Sequence, residues 1–431
     1  MKAFSKYVEE LRQLAKASRR PVPPGEDELP AIAAALDGGA GRALRRLVNV
    51  EDLRQQGAFF TGSELSKRAA RLLGKTLDGR SVILDPACGA GDLLLACADL
   101  LPTPRRVSAR LPRWEVQLHG RDVSPDFVEA ARLRLALLAG RHGIIPDRAA
   151  ATNRFHGVKV ACGMADAAAI TAATHIVLNP PFTLGIAPKG CCWASGLVNS
   201  AAVFLDSVLD VAQSGTEIVA ILPDVLRSGA RYRAWRREVQ RRCHLRFVGL
   251  GGQFDPQTDV NIFLLHLTVR LKPKVRPTGL RAWKAPRTAQ QTVKDMFNVS
   301  VGPVVDYRDP HRGQWQKFIR SKTLVPWTQL LALSTHRRFE GRLLPSPFVA
   351  VKRTSRPDDA HRAVATLVNL DAPAAVENHV LVLQPKDGSV SSCKRLMKLL
   401  ADPKTSVRLN QRIRCRHLTV GVLGELPWSG Q

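Results

Sequence analysis

The segment that most restricts how this chain can fold is Asn179-Pro180-Pro181-Phe182, which follows the run His175-Ile176-Val177-Leu178. That run reads as a short buried strand. Successive prolines lack amide hydrogens, fix their own φ and bias the residue before them away from helix. The strand therefore ends at Asn179, and the chain leaves it in a rigid, extended turn. An amide side chain, a backbone carbonyl and an aromatic ring are gathered at the carboxyl end of a strand. Open α/β sheets hold their ligands at that end.

The surrounding pattern fits such a sheet. Between about residues 50 and 270, apolar runs alternate with helical periodicity, as in a doubly wound α/β fold. Ser81–Leu84 is a buried strand, followed by the glycine loop Asp85-Pro86-Ala87-Cys88-Gly89-Ala90-Gly91 and an apolar helix from Asp92. A second strand starts at Val116 and leads to Asp122. Ser124-Pro125 then caps and opens a long helix. Val158–Ala161, His175–Leu178, Glu217–Leu222, Leu245–Leu250 and Val260–Val269 are further strands, with a hairpin-like break at Gly251–Pro256. Ala201–Val211 and the basic stretch Gly229–Arg242 are helices. Upstream, residues 1–50 form a small helical lead-in broken at Pro21, Pro23 and Pro24. Downstream, Leu271–Pro286 reads as a basic, proline-bearing linker. Beyond it the βα rhythm is lost, with strands near 348–352, 363–370 and 379–383 and a helix near 391–400.

Charge narrows the partner. Lys and Arg number 64 against 37 Asp and Glu, a net +27. Residues 271–431 hold 28 of the former and 11 of the latter, so most of the excess lies in the last third. An acidic polymer, most simply nucleic acid, is the expected partner. The eight cysteines form no CxxC pair, and no metal site is expected. Reduced thiols, the absence of a secretory h-region near Met1 and the lack of an apolar run of ~18 residues lead us to expect a cytoplasmic protein off the membrane.

The motifs also suggest a chemistry. Gly89 and Gly91 let the backbone approach a ligand closely, and Asp122 ends the next strand, where a carboxylate can accept from both hydroxyls of a ribose. The spacing from Asp85 to Asp122 exceeds the ~20 residues usual in dinucleotide folds, and the Pro- and Arg-rich segment Leu101–Arg113 reads as the insertion responsible. Asp166 follows the third strand; it is either an acceptor for an adenine amino group or a loop residue. At the proline turn, the Asn179 side-chain oxygen and the Pro180 carbonyl can accept the two hydrogens of an exocyclic amine. That favours a pyramidal nitrogen whose lone pair is freed for attack, a stabilisation that grows as charge develops. Phe182 can stack on the base.

Together these residues resemble the N6-adenine DNA methyltransferases, over roughly residues 55–270. The resemblance implies a Rossmann-like class I methyltransferase sheet within an α/β fold, carrying an N-terminal helical segment and a C-terminal α+β DNA-recognition domain. It implies S-adenosylmethionine as cofactor, a flipped-out adenine in double-stranded DNA as substrate, and a restriction–modification or related defence setting with a possible restriction or specificity subunit. Gly57–Gly62 looks like the family's cofactor segment, with Gly62 where proline is usual and Ala90 where serine is frequent. The implied cofactor-binding residues are Phe60, Thr61, Asp85, Ala87, Gly89, Gly91, Asp122 and Asp166. The implied catalytic residues are Asn179, Pro180, Pro181 and Phe182, with Phe254 as a second aromatic against the base. The order of motifs is similar to the gamma arrangement. The expected domains are residues 1–50, helical; 51–270, catalytic; and 271–431, target recognition. Two other readings stay open: a methyltransferase acting on RNA or on a protein glutamine, and a non-catalytic DNA-binding subunit. Candidate phosphate contacts are Arg231, Arg233, Arg236, Arg237, Arg241 and Arg242 on one helix, and Lys352, Arg353, Arg412, Arg414 and Arg416. The stretch Arg408–Arg412 offers groups suited to base edges.

Overall fold

The computed structural model describes residues 4–17, 28–48, 60–102, 110–141, 154–255, 258–272, 283 and 291–428. It divides into two compact units: residues 1–226 with 231–280, and residues 227–230 with 281–431.

The first unit contains strands β1 (Ile83–Asp85), β2 (Leu118–Asp122), β3 (Val158–Val160), β4 (His175–Leu178), β5 (Leu184–Ile186), β6 (Leu197–Asn199), β7 (Glu217–Pro223), β8 (Cys243–Asp255) and β9 (Thr258–Val269). Seven of them form one sheet in the order β3-β2-β1-β4-β7-β9-β8, while β5 and β6 make a separate hairpin. The sheet is parallel except at β9, which runs antiparallel to both β7 and β8. This is the open, mostly parallel α/β sheet that the sequence pattern predicts. Strand order reverses between β1 and β4, so the crevice beyond their carboxyl ends is the topological switch point. β4 is buried along its whole length, with Ile176 beside Leu84 of β1 and Leu178 beside Ala220 of β7. Burial on both faces is why its sequence is a continuous apolar run.

The helices of this unit are α1 (Ser5–Ala17), α2 (Glu28–Ala34), α3 (Ala40–Leu47), α4 (Ser63–Leu73), α5 (Asp92–Ala98), α6 (Arg110–Gln117), α7 (Pro125–Arg141), α8 (Ala167–Ala172), α9 (Ser200–Val211), α10 (Asp224–Ser228) and α11 (Arg233–Arg242). Among the described residues, no helix is long and apolar enough to cross a membrane. One core lies on the sheet, where Ile83, Val177, Val219 and Ile262 meet Leu94, Leu135 and Trp114. A second core joins α1–α3 to α7 through Phe4, Tyr7, Leu11, Leu44 and Phe127. Fully burying each such side chain contributes roughly 1.5–3 kcal/mol, which explains why the N-terminal helices are held on the sheet unit.

Three local expectations change. The strand expected from Val116 begins at Leu118, because residues 110–117 form α6. Leu111 and Trp114 are buried at helical spacing, and Pro112 sits in the first turn, where a missing amide costs little. The basic stretch 229–242 is a 3-10 turn, Ala230–Tyr232, followed by α11. The break is fixed by buried Tyr232, whose hydroxyl accepts the Asn199 backbone N–H at 2.8 Å. At Gly251–Pro256 the chain does not leave the sheet; β8 continues, bulged, to Asp255. Gly251 makes this possible, since a Cβ there would stand 2.7 Å from Ile262 Cδ1. The 271–286 linker lies mostly outside the described residues, though Trp283 within it is buried.

The second unit contains β10 (Phe297–Val301), β11 (Trp315–Ile319), β12 (Gln329–Leu330), β13 (His336–Arg338), β14 (Phe348–Lys352), β15 (Ala365–Val368), β16 (Ala374–Val376) and β17 (Val380–Pro385), with helices α12 (Val293–Met296), α13 (Val390–Ala401), α14 (Pro403–Arg412) and α15 (Val420–Gly424). A five-stranded sheet, β10-β17-β14-β15-β12, stands beside a three-stranded one, β13-β11-β16. Val349, Leu381 and Leu383 pack against Leu396, Leu400 and Leu409 of the helices. The unit is α+β.

Candidate active site

The loop after β1 is shaped by its acid and its glycines. Asp85, 1% exposed, accepts the Ala87 backbone N–H at 3.1 Å. Burial without a cationic partner pushes its carboxyl up to about 8. Gly89 and Gly91 adopt φ values of 49° and 85°, which residues with a Cβ rarely hold. A Cβ on Gly89 would lie 2.9 Å from Phe60 Cε1, and one on Gly91 would lie 3.0 Å from Ala131 Cβ. Asp122, at the end of β2, is half-buried. Its two oxygens accept the Gly89 N–H at 3.0 Å and the Ser124 N–H at 2.8 Å. Burial raises its carboxyl above the usual range. The acid thus fastens the glycine loop to β2 while keeping spare lone pairs.

Phe60, Thr61 and Gly62 reach this loop from upstream; Gly57–Phe59 lie outside the described residues. The Phe60 ring packs on Phe127 and Phe4 with centroids 4.9 and 5.7 Å away. The Gly62 N–H donates to Asp92 Oδ2 at 2.9 Å. Asp92 Oδ1 in turn accepts from Arg134 at 2.8 Å. Arg134 is fully buried and also donates to Ala90 O (2.6 Å), Ala35 O (3.0 Å) and Leu36 O (3.4 Å). One guanidinium therefore ties the glycine loop, the first turn of α5 and the turn after α2 together. Sequence reading missed it, because a lone arginine in an apolar helix carries no motif.

At β4 the geometry is more telling. Asn179 Nδ2 donates to Thr61 Oγ1 at 3.0 Å. Its Oδ1 is buried and has no hydrogen-bond partner. A buried acceptor left unpaired costs about 1–3 kcal/mol, a cost removed if a ligand donates to it. Phe182 and Phe254, 72 residues apart in the chain, meet edge-on with centroids 5.4 Å apart. The turn is braced from behind: Asn199 Nδ2 donates to Phe182 O at 3.0 Å, while Asn199 Oδ1 accepts the Ala201 N–H and caps α9. The structure thus brings together Phe60, Thr61, the glycine loop and Asp122, and joins Asn179 to them through Thr61.

Asp166 also stands past a strand end, beyond β3, but its carboxylate has other duties. One oxygen accepts from Arg121 Nε at 2.6 Å and the other caps α8 through the Ala169 N–H at 3.1 Å. The Arg121 guanidinium holds this carboxyl below its usual range. Around Asp122, Val123, Val160 and Met164 are exposed by 73%, 52% and 41%. Val160 is the register partner of Asp122. An apolar rim beside a half-buried acid suits a flat ring that carries hydroxyls. The signal was an apolar residue directly after a strand-ending acid, which sequence reading passed over.

Of the six arginines proposed for phosphate contacts near α11, four are engaged. Arg236 is buried on Leu226 O, Arg231 donates to Ser195 O and Leu197 O, and Arg241 and Arg242 pair with Glu238, the latter also with Asp206 and Asp210. Arg233 and Arg237 are exposed. In the second unit, Asn410 bonds Arg362 and Pro357 O, and Arg412 pairs with Glu425 at 2.7 Å. The side chains of Asn410 and Arg412 are thus turned into the fold. Among the described residues no His, Cys, Asp and Glu cluster has the arrangement of a metal site.

Residues 44–249 match the family model described as N-6 DNA methylase. No curated protein matches the chain. Among solved structures, the chain is similar to the type IIL restriction-modification enzyme MmeI, solved in complex with DNA, at 10% identity, covering 89% of this chain and 70% of that one with a TM-score of 0.54. It is also similar to the type IIG restriction endonuclease BpuSI (13% identity, 98% and 66% covered, TM-score 0.47) and to a chain of a type I R-M system (20% identity, 54% and 46% covered, TM-score 0.40). This chain therefore spans less than half the length of the type I chain. At 10% identity the MmeI likeness speaks to the fold alone, and residues 44–249 are similar to the N-6 DNA methylases by the family model.

Proposed function

We propose that this chain, through its N-6 DNA methylase segment, methylates N6 of an adenine flipped out of double-stranded DNA, as the modification activity of a restriction–modification system. The observation that carries the reading is the buried, unpartnered Asn179 Oδ1 at the switch point, beside the Phe182–Phe254 pair. An adenine amino group brings two hydrogens and a flat ring. Asn179 Oδ1 and the Pro180 carbonyl accept the hydrogens, and the aromatic pair takes the ring. Because Thr61 fixes the amide by its Nδ2, the oxygen is preorganised before the base arrives. Acceptance at two points draws the nitrogen lone pair out of conjugation, and the stabilisation increases as the nitrogen gains positive charge. No strong base is needed for that step.

The residues around the glycine loop fit S-adenosylmethionine. Bound there, it would supply an electrophilic methyl group on a sulfonium sulfur. The loop Asp85–Gly91 offers close backbone approach, with Ala87, Gly89 and Gly91 in its wall and Phe60 and Thr61 covering it from upstream. Asp122 would accept from ribose hydroxyls, with Val123, Val160 and Met164 as the apolar rim for a purine and Asp166 beyond the neighbouring strand. Asp85, buried without a counter-charge, suits a cationic group on the ligand.

The test is transfer of labelled methyl from S-adenosylmethionine to duplex DNA, with the products identified as nucleosides by mass spectrometry. N6-methyladenine that disappears with Asn179→Ala supports the reading. Label found in RNA or in a glutamine side chain moves the acceptor elsewhere, and label nowhere refutes methyl transfer by this chain.

A further inference from the structure

The hairpin that follows the proline turn is built in an unusual way. β5 and β6 pair in the register Leu184 with Asn199, Gly185 with Val198 and Ile186 with Leu197. One face points inward, where Val198 is fully buried. The other carries Leu184, Ile186 and Leu197, exposed by 66%, 81% and 59%. Three aliphatic side chains on one solvent face are costly to leave uncovered. The hairpin is nonetheless held stiffly. Its base is tied by Ser200 N–H to Thr183 O at 2.8 Å, and Trp193 in its loop donates to Asp206 at 2.9 Å. Arg231 clamps its second strand through Ser195 O and Leu197 O at 2.8 and 2.7 Å. Segment 183–199 contains no acidic residue and one exposed Lys189 at the tip, and the exposed Arg233 and Arg237 lie on the neighbouring α11.

We infer that this hairpin is a wedge that enters the DNA base stack beside the extruded adenine. The inference rests on the methyltransferase reading above and assigns that site a further part. A base-pair step is the partner these observations describe: flat, apolar faces ringed by phosphates, met by aliphatic side chains on a segment that carries Lys189 and no acid. Position agrees, since Leu184 stands two residues after Phe182, which takes the flipped base. Taking a base out of the stack leaves a gap of apolar character, and unstacking costs a few kcal/mol. Aliphatic side chains that fill the gap offset that cost, and a hairpin braced by Arg231 loses little freedom in doing so. Ile186, the most exposed of the three, leads the insertion.

The experiment uses the full chain, with the methylated site first mapped by sequencing. Ile186→Ala and Leu197→Ala change exposed positions, so the fold is spared. Each variant is assayed on a normal duplex and on one with an abasic site opposite the target adenine. Flipping is followed separately with 2-aminopurine at the target. The wedge predicts a loss of about tenfold to a hundredfold in kcat/KM on the normal duplex. It also predicts weakened 2-aminopurine emission, and recovery to near wild-type rates on the abasic duplex, where the gap already exists. S-adenosylmethionine binding, read by calorimetry, stays unchanged. Equal losses on both duplexes, or no loss on either, overturn the wedge. So does a hairpin variant that changes only self-association or the retention of a protein partner, because the face then belongs to a protein interface. A wild-type chain that leaves adenine unmodified fails at the earlier step and refutes the methyltransferase reading itself, and the wedge with it.

Discussion

Asn179 holds a side chain that the fold would be better off without. Its Oδ1 is buried and unpaired, and only the bond to Thr61 repays the burial. Asn179→Ala should therefore leave thermal stability equal or higher, by up to about 1–2 kcal/mol, while lowering kcat by at least about 10²–10³ with S-adenosylmethionine affinity nearly intact. Calorimetric melting and single-turnover methylation on the same preparation check both halves; a destabilised variant with normal turnover contradicts the assignment. Asp85 gives a pH-dependent counterpart. With its carboxyl pushed up to about 8 by burial, the folded state holds a proton there that the unfolded state releases near 4. Its contribution to stability is present in full below about pH 4 and is lost as pH rises through about 8. Asp85→Asn should flatten that decline by a few kcal/mol, read as melting temperature from pH 5 to pH 9. A cationic ligand reverses the preference, so cofactor affinity in the wild type should rise with pH up to about 8 and level off above it. An affinity independent of pH would remove Asp85 from the cofactor's charge.

At the scale of elements, the parts with a period or a motif were legible in the sequence. β4 and the Ser124–Pro125 start of α7 were readable because burial and proline leave local signatures. What escaped was decided by contacts distant in sequence. α6 ends at Gln117 because Leu111 and Trp114 find the sheet core, and β8 runs through Gly251 because Ile262 needs its missing side chain. The coupling of the N-terminal helices to the glycine loop also escaped, since it runs through Arg134. Its bonds to Ala35 O, Ala90 O and Asp92 make it a buried cation with a matched partner. Removing one member of such a pair costs about 3–5 kcal/mol. Arg134→Met should destabilise the chain by that amount in urea and should raise the KM for S-adenosylmethionine more than it lowers kcat, as Gly62 loses its anchor on Asp92. Arg134→Met with Asp92→Leu should recover part of the stability without recovering the KM. Full recovery of both would make the pair a packing feature alone.

For the molecule as a whole, the net charge of +27 pointed to nucleic acid; of the residues chosen from sequence to express it, Arg233, Arg237 and Arg416 are exposed and others are not. Arg412 and Asn410 are spent on internal bonds, as charged and amide groups on a half-buried helix usually are. One group of exposed cations in the second unit stands at one end of the antiparallel β11–β13 pair. There Trp315 is 67% exposed, Arg338 lies over its ring at 5.9 Å, and Arg312 and Arg342 flank the pair in the exposed connections. An exposed indole with a guanidinium on its face is stable on its own, and it also presents a charge and an apolar edge to a phosphate backbone. If this end grips DNA, affinity must fall steeply with salt, because each neutralised phosphate releases counterions. Arg338→Ala should lower the magnitude of the slope of log K against log salt by about one and weaken all duplexes alike. Trp315→Ala should lower affinity with the slope preserved. Fluorescence anisotropy at four salt concentrations separates the two. A slope unchanged by Arg338→Ala would locate the backbone contacts elsewhere on the basic surface and leave the β11–β13 pair without a part in DNA binding.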